Sequence, residues 1–511
     1  MPQLLEKRAG FVQRAYAVQP EARPFSRTVE SSGRSAERLF AAARFLILLI
    51  LFLSPLAFGA VEPWAWGIIG LASICSFMLW GLGNLRRDLL RVTWTPLYSI
   101  GILFLLFAGV QYFFHLTEDR AGTWESILKF ATDFLIFFLA SQVWGTGAKH
   151  PRNPIPSEAG VAPSESNEFR ARRAGAACAP KPEHEPEPER EQLAGLGMWV
   201  SVYTFFLALF AILQLFSSHG LIYWQVRPRW GGWIFGPYVN HNHFAGLMEM
   251  LIPLAAVFAL AQSSDRSQNV RVRGSGQTLA RRVWPWGAVL AGLTSVMLSG
   301  SRGGLIALMV ECLAFLAVLG PAGRLPRRHR VLASLSIGCA VLAFLWLAPG
   351  NVTSRLETVT HLPQSPEATL GQREAVARDT LHLFKDHWLT GTGLGSFQTA
   401  FTPYLTFPSD FVWEHAHNDY LELAAEMGIA GSVLAVAALA LFLVAAFRRL
   451  RAWPGSMDCW IRLGAAVGCT GILVHSLADF NLHIPANAAW FAMLAGLATS
   501  FPVRQIQRSR A

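Results

Sequence analysis

Four short polar clusters interrupt an otherwise apolar chain, and each combines residue types suited to a definite chemical step. In EHAHNDYLELAAEMG, Glu414 to Gly428, Asp419 followed three residues later by Glu422 resembles a capping box, which starts a helix at Tyr420 and leaves His417 just ahead of its N-terminus. The positive end of that helix favours an anion and disfavours an imidazolium, so His417 is suited to act as a neutral general base beside an anion site, with Asn418 next to it. LSGSRGG, Leu298 to Gly304, is a tight turn with a single charge, Arg302. Its glycines let backbone approach a ligand and its guanidinium fits two phosphate oxygens at once, although an arginine snorkelling at a membrane interface would read the same way. FGPYVNHNHFAG, Phe235 to Gly246, crowds Asn240, His241, Asn242 and His243 at the entrance to an apolar run. VHSLADFNLHIPANA, Val474 to Ala488, places His475 and Asp479 one helical turn apart, either facing a cavity or forming an i, i+4 ion pair that fixes packing.

Two other chemistries fit less well. His241 and His243 with His415 and His417 supply enough nitrogens for zinc, but HxH spacing suits strands better than helices and no carboxylate is clearly placed to complete the set, so no metal is expected. GTGLGS, Gly391 to Ser396, has the glycines of a phosphate loop without the preceding strand, the lysine or the third-position spacing, so no nucleotide or other cofactor is expected.

The elements that must hold these residues are membrane helices. Of the 511 residues 52% are hydrophobic and only 15% charged, and the mean hydropathy is +0.35, which excludes an ordinary soluble enzyme. Apolar runs of about 20 residues, the length needed to cross a bilayer, lie near 40–60, 63–83, 94–114, 126–144, 194–216, 244–262, 283–299, 303–320, 331–348, 428–447, 461–479 and 486–502. The first shows no cleavage site close behind it and reads as an anchor. The net charge of +10 resides in short clusters between these runs, with no basic face for nucleic acid. Arg86, Arg87 and Arg91, the five arginines from Arg266 to Arg282, Arg324, Arg327, Arg328 and Arg330, Arg448, Arg449 and Arg451, and the Arg-rich tails mark one face as cytosolic, with both termini there. The six cysteines show no CxxC pairing and imply neither a disulfide framework nor a metal framework.

The predicted organisation is a cytosolic tail over 1–38, a four-helix membrane region over 39–144, a disordered Pro/Glu-rich cytosolic linker over 145–192, an eight-span region over 193–502, and a cytosolic tail over 503–511. On the face opposite the arginines lie two long segments, Ser217 to His241 and the much larger 349–427. Loops of that length commonly act as lids or binding elements. Within the larger, Val376, Thr380, Leu383/Phe384 and His387/Trp388 recur at helical spacing from Gln372 onward, predicting an amphipathic helix whose Arg373 points toward the apolar side.

The NHNHFAG cluster, the SGSRGG turn, the Arg373 helix followed by TGTGLGSF, and HAHNDYLELAAEMGIAG ahead of a span resemble, in this order, the O-antigen ligase and polymerase superfamily. The resemblance covers roughly residues 196–500; the first four spans match only in general hydrophobicity. It implies an all-α polytopic protein of the bacterial inner membrane with about twelve transmembrane helices and one large periplasmic loop containing short helices. It further implies a metal-independent glycosyltransferase whose donor is a polyprenyl-diphosphate-linked glycan and whose acceptor is lipid A-core, a growing glycan or a protein. Carried over residue by residue, it makes His417 the catalytic base and Arg302 and Arg373 the diphosphate-binding arginines, with His415 a second candidate base. Asn240, Asn242, His243, His415, Asn418, His475 and Asp479 are then candidate substrate contacts, and membrane lipid the only other partner. The rival class, a transporter or flippase, would carry two similar halves and midplane charges; the polar clusters here gather at one face.

Overall fold

In the computed structural model, residues 25–87, 90, 92–144, 187–228, 232–264, 276–319, 338, 370–409, 412–451 and 456–500 are described. The tail before residue 25, most of the 145–192 linker, much of the Arg266–Arg282 loop, the expected span near 331–348, the first part of the 349–427 segment and the C-terminal tail lie outside the described residues.

The described chain is helical, with two isolated β-bridges and no strands. Its main helices are α1 (Phe25–Leu53), α2 (Pro63–Arg86), α3 (Leu97–Phe113), α4 (Arg120–Val143), α5 (Glu187–Ser217), α6 (His241–Ser264), α7 (Gly276–Ser299), α8 (Arg302–Leu319), α9 (Leu370–Asp386), the short α10 (Phe397–Phe401), α11 (Asp419–Arg451), α12 (Met457–His475) and α13 (Pro485–Thr499). Several starts are legible in the chain. Pro63 and Pro485 open α2 and α13, where a missing N–H costs nothing, and the Asp119 carboxylate accepts from the Gly122 N–H to cap α4.

Among the described residues seven helices are long and apolar enough to cross a membrane: Pro63–Arg86, Arg120–Val143, Gln192–Ser217, His241–Ser263, Arg302–Leu319, Asp419–Arg448 and Met457–His475. Leu97–Phe113 and Val283–Ser299 are apolar but shorter. Side chains such as Phe45, Leu71, Met78, Leu106, Leu290 and Val436 stand exposed around the bundle, the outward apolar belt a lipid solvent requires.

The centre of the bundle is α6, where 89% of the residues in the most apolar stretch are buried, against 17% in that of the outlying α11. It is clasped by α12, α7 and α5. Small residues make the closest approach possible. A Cβ built on Gly464 or Gly468 of α12 would lie 3.0 Å from the carbonyl oxygen of Pro253 or Met250 in α6, so the two backbones touch where lipid offers no hydrophobic drive for association. The N-terminal region joins this core as α4 packs on α13 and α3 on α11. At one end of that seam the buried Arg462 pairs with Asp458 at 2.5 Å and donates to the carbonyl oxygens of Leu497 (2.5 Å) and Trp144 (3.0 Å), tying together the ends of α12, α13 and α4.

A second, smaller core lies beside the bundle. Val376 and Leu383 of α9, Phe397, Ala400 and Phe401 around α10, and Trp413, Ala416 and Ala425 pack together. The expected amphipathic helix is therefore present as α9, burying Val376, Thr380 and Leu383; Trp388 is exposed, because the helix ends at Asp386. Gly428 (φ 59, ψ −161) breaks α11 into a first stretch that belongs to this small core and a second that runs on as the span. A Cβ there would lie 2.6 Å from the Leu389 backbone, so only glycine permits the junction.

Candidate functional site

The turn between α12 and α13, residues 476–483, is met by the 414–428 and NHNH clusters, and the LSGSRGG cluster touches His475 just ahead of it. The backbone N–H of Asp419 donates to the Ser476 carbonyl at 3.0 Å, Asn418 Nδ2 to the Leu477 carbonyl at 2.9 Å, and Arg373 Nη1 to the Ala478 carbonyl at 3.2 Å. Asp479 Oδ1 faces His417 Nδ1 at 3.6 Å. His243 Nδ1 lies 3.3 Å from Asn481 Oδ1, and His483 Nδ1 lies 2.7 Å from Asp419 Oδ1.

His417 occupies a left-handed conformation (φ 52) one residue before the helix cap. Its ring meets Trp413 and Phe480 edge-on, with centroids at 5.7 and 5.0 Å, and its side chain keeps 17% of its surface open while Asp479 keeps 1%. Burial alone would raise the Asp479 pKa, but the facing His417, with His243 and Arg373 near by, holds it well below the usual carboxylate range. An anion fixed behind an imidazole whose ring remains partly open is the arrangement a general base requires.

The cap itself differs from the expectation. Asn418 Oδ1 accepts from the N–H groups of Tyr420 (3.1 Å) and Leu421 (3.0 Å), so Asn418, not Asp419, caps α11. Asp419 turns instead to His483 and to the Leu482 N–H at 3.2 Å. Glu422 reaches back past the cap: Oε1 meets His415 Nδ1 at 2.7 Å and Oε2 accepts from the Ala416 N–H at 2.7 Å. His415 stacks on Phe480 with centroids 4.3 Å apart. The two histidines thus touch the same phenylalanine and each has its own carboxylate.

His475 and Asp479 do not form the i, i+4 pair considered above, because α12 stops at His475 and Asp479 sits in the turn. His475 Nδ1 instead meets Glu249 of α6 at 2.9 Å, both side chains fully enclosed. His475 also packs against the start of α8: a Cβ on Gly303 would lie 2.5 Å from its ring. Only a glycine beside Arg302 lets α8 begin this close to the turn. Arg302, half-buried, opens α8 behind a cap in which Ser301 Oγ accepts from the Gly304 N–H at 3.1 Å. Its guanidinium makes no hydrogen bond or ion pair with another described residue. Among the described residues Arg373 has one bond, to Ala478, and its Nε is buried without a partner there.

The NHNH cluster forms a wall. Asn240 Oδ1 accepts from the Asn242 N–H at 2.8 Å to start α6, His241 Nδ1 lies 2.8 Å from the Ser299 carbonyl oxygen and stacks on Trp233, and His243 reaches Asn481. His241 and His243 therefore serve different partners, and the four-histidine zinc reading finds no common centre. Asn242 and His243 are buried. GTGLGS is a seam: Gln111 Nε2 donates to the carbonyls of Thr390 (2.7 Å) and Glu426 (2.8 Å), its Oε1 accepts from the Leu394 N–H at 3.2 Å, and Gly393 (φ 106) presses on Thr117.

Glu249, Glu311, Phe480 and His483 join the site without being among the candidates that the sequence offers. Glu249 and Glu311 stand alone in the apolar runs LMEML and MVECL, where a carboxylate is costly, and that isolation was their signal. His483 bridges Asp419 at 2.7 Å and Glu422 at 3.3 Å. Burial would lower its pKa, yet the two carboxylates raise it to about 10. His415, Glu422 and His483 are the group among the described residues whose atoms converge closely enough to hold a metal ion.

Residues 287–436, under a third of the chain, match the family model described as O-Antigen ligase. The match runs from α7 into α11, including Arg302, Arg373, His415 and His417, and stops short of the 476–483 turn. No curated protein matches the chain.

Proposed function

From the premise that residues 287–436 carry the O-antigen ligase match, which supports a ligase- or polymerase-type function in a multi-pass membrane protein, we propose a specific reaction. The protein transfers a glycan from a polyprenyl-diphosphate carrier to an acceptor hydroxyl at the periplasmic face of the bacterial inner membrane, with both termini in the cytosol. Residues 39–144 form a supporting membrane region, 145–192 a cytosolic linker, and 193–502 the catalytic region, with 349–427 its periplasmic loop.

The observation that carries this reading is the convergence of His417 and Arg373 on one turn, with Arg302 brought near through His475 and Gly303. As the glycosidic C–O bond breaks, its electron pair leaves with the diphosphate, and the growing charge falls to Arg302 and Arg373. Two pre-placed guanidiniums answer it, each a stabiliser whose loss costs on the order of 10² to 10³ in rate. The acceptor oxygen attacks the anomeric carbon as its proton passes to the His417 nitrogen turned away from Asp479, and the Asp479 carboxylate steadies the imidazolium. Neither redox chemistry, a nucleotide nor a metal enters. The carrier's tail reaches the site from the lipid between spans.

The test is purified protein in detergent with lipid-linked donor and each acceptor class in turn, following release of polyprenyl diphosphate together with product. Turnover without a membrane or gradient is expected. A protein that releases none with lipid A-core, glycan or protein acceptors, yet moves lipid-linked glycan across liposomes, is a transporter and overturns the reading.

A further inference from the structure

The His415–Glu422–His483 cluster has no part in the mechanism above. We propose that it is a binding site for a borderline divalent cation, Zn²⁺ first among them, and, resting on the transferase reading, that the bound ion arrests the enzyme.

Three ligand atoms from three separate parts of the chain, the loop before α11, its first turn and the turn before α13, lie within 4.8 Å of one another. Two imidazoles address one carboxylate oxygen: Glu422 Oε1 is 2.7 Å from His415 Nδ1 and 3.3 Å from His483 Nε2. The other oxygen, Oε2, is held by the Ala416 N–H, which fixes the carboxylate plane and leaves Oε1 turned to the histidines. Behind His483, Asp419 Oδ1 sits 2.7 Å from Nδ1. That is the outer partner a metal-binding histidine almost always has, fixing its tautomer and orienting its other nitrogen. With Nδ1 donating to Asp419, Nε2 directs a lone pair at an anionic oxygen, so a positive species must stand between them.

The donor set chooses the ion. Two imidazoles and a carboxylate, with no ring of oxygens, suit zinc and its neighbours and reject Mg²⁺ and Ca²⁺. His415 and His483 keep 26% and 30% of their side-chain surface open, which gives the ion an entry path and a fourth position for water. The consequence for turnover follows from position. His417 lies between the ligands His415 and Glu422, and His415 stacks on the Phe480 that His417 also touches. An ion clamping 415, 422 and 483 immobilises the segment that must admit the acceptor to His417.

The test uses untagged, full-length protein in detergent, stripped of metal, titrated with Zn²⁺ by calorimetry. One equivalent should bind, with no heat from Mg²⁺ or Ca²⁺ at the same concentration. Asp419→Asn should weaken binding roughly 10- to 100-fold, the usual cost of losing an outer partner. His415→Ala and His483→Ala should weaken it at least as much. X-ray absorption on the zinc-loaded unmodified protein, which depends on no variant folding, should show nitrogen and oxygen neighbours including two imidazoles and no sulfur. Absence of binding, a sulfur-containing shell, or stoichiometric binding unchanged in well-folded His415→Ala and His483→Ala overturns the site. In the transfer assay Zn²⁺ should slow the unmodified protein and a chelator restore it; zinc bound at this shell without any slowing would overturn the arrest while leaving the site. Because binding is read without substrate, failure of the transferase reading leaves these outcomes intact.

Discussion

Asp479→Asn keeps the shape of the side chain and removes the charge that faces His417 at 3.6 Å. If the base acquires a proton in the transition state, that charge stabilises an imidazolium which does not exist in the ground state. At an effective dielectric of about 20, unit charges at this separation interact by roughly 4–5 kcal/mol. The part-open His417 ring lets solvent screen some of this, and the asparagine dipole replaces a little more. A loss on the order of 10² to 10³ in kcat is expected, with KM for the donor changed far less, since the proposed mechanism gives the diphosphate to the arginines and not to Asp479. The assay is single-turnover release of polyprenyl diphosphate at saturating donor, repeated in a His417→Ala background. There the second substitution should cost almost nothing, because the carboxylate has lost the group it serves. Full activity of Asp479→Asn, or an unchanged penalty without His417, would refute the pairing and leave Asp479 as a plain anchor of its turn.

Lysine at position 302 or 373 should fail nearly as badly as alanine in the same turnover assay, because a point charge cannot reproduce the guanidinium fork; near-normal rates would reduce both to interfacial anchors. Gly303→Ala should force the His475 ring or the start of α8 to move, costing about 1–3 kcal/mol by over-packing and lowering both the melting temperature and kcat, whereas an unchanged variant would disconnect Arg302 from the turn. Since the folded pKa of Asp479 is depressed, its stabilisation is complete above the unfolded value of about 4 and is lost as pH falls through the folded one. Thermal melts in detergent should accordingly show Asp479→Asn less stable at pH 7, with the gap narrowing only in strong acid; a gap that closes between pH 5 and 7 would contradict the charge assignment.

Much of the scaffold was legible because lipid imposes long apolar runs, and the helix over Leu370–Asp386 because Val376, Thr380 and Leu383 repeat at helical spacing. The break at Gly428 fell where the span was expected to begin. What stayed hidden depends on contacts across the chain. Glu249 and His475 are 226 residues apart, and nothing local in either run names the other. The i, i+4 pairing of His475 with Asp479 is one of two readings the sequence allows, because the periodicity of VHSLAD continues past the place where α12 ends, with no glycine or proline before Pro485 to mark it. Asn418 and Asp419 are both good caps, and choosing between them requires knowing that His483 claims the aspartate. The glycines of GTGLGS answer to Gln111 and Thr117, in a helix and loop nearly three hundred residues earlier.

The central claim is that His417 takes the acceptor proton, and the most direct measurement compares His417→Ala and His415→Ala as purified proteins, scoring donor binding and glycan transfer separately. His417→Ala should bind the lipid-linked donor as the unmodified protein does and transfer nothing measurable, with His415→Ala keeping more activity. A His417→Ala protein that transfers at the normal rate, or a His415→Ala protein that loses more, would contradict it.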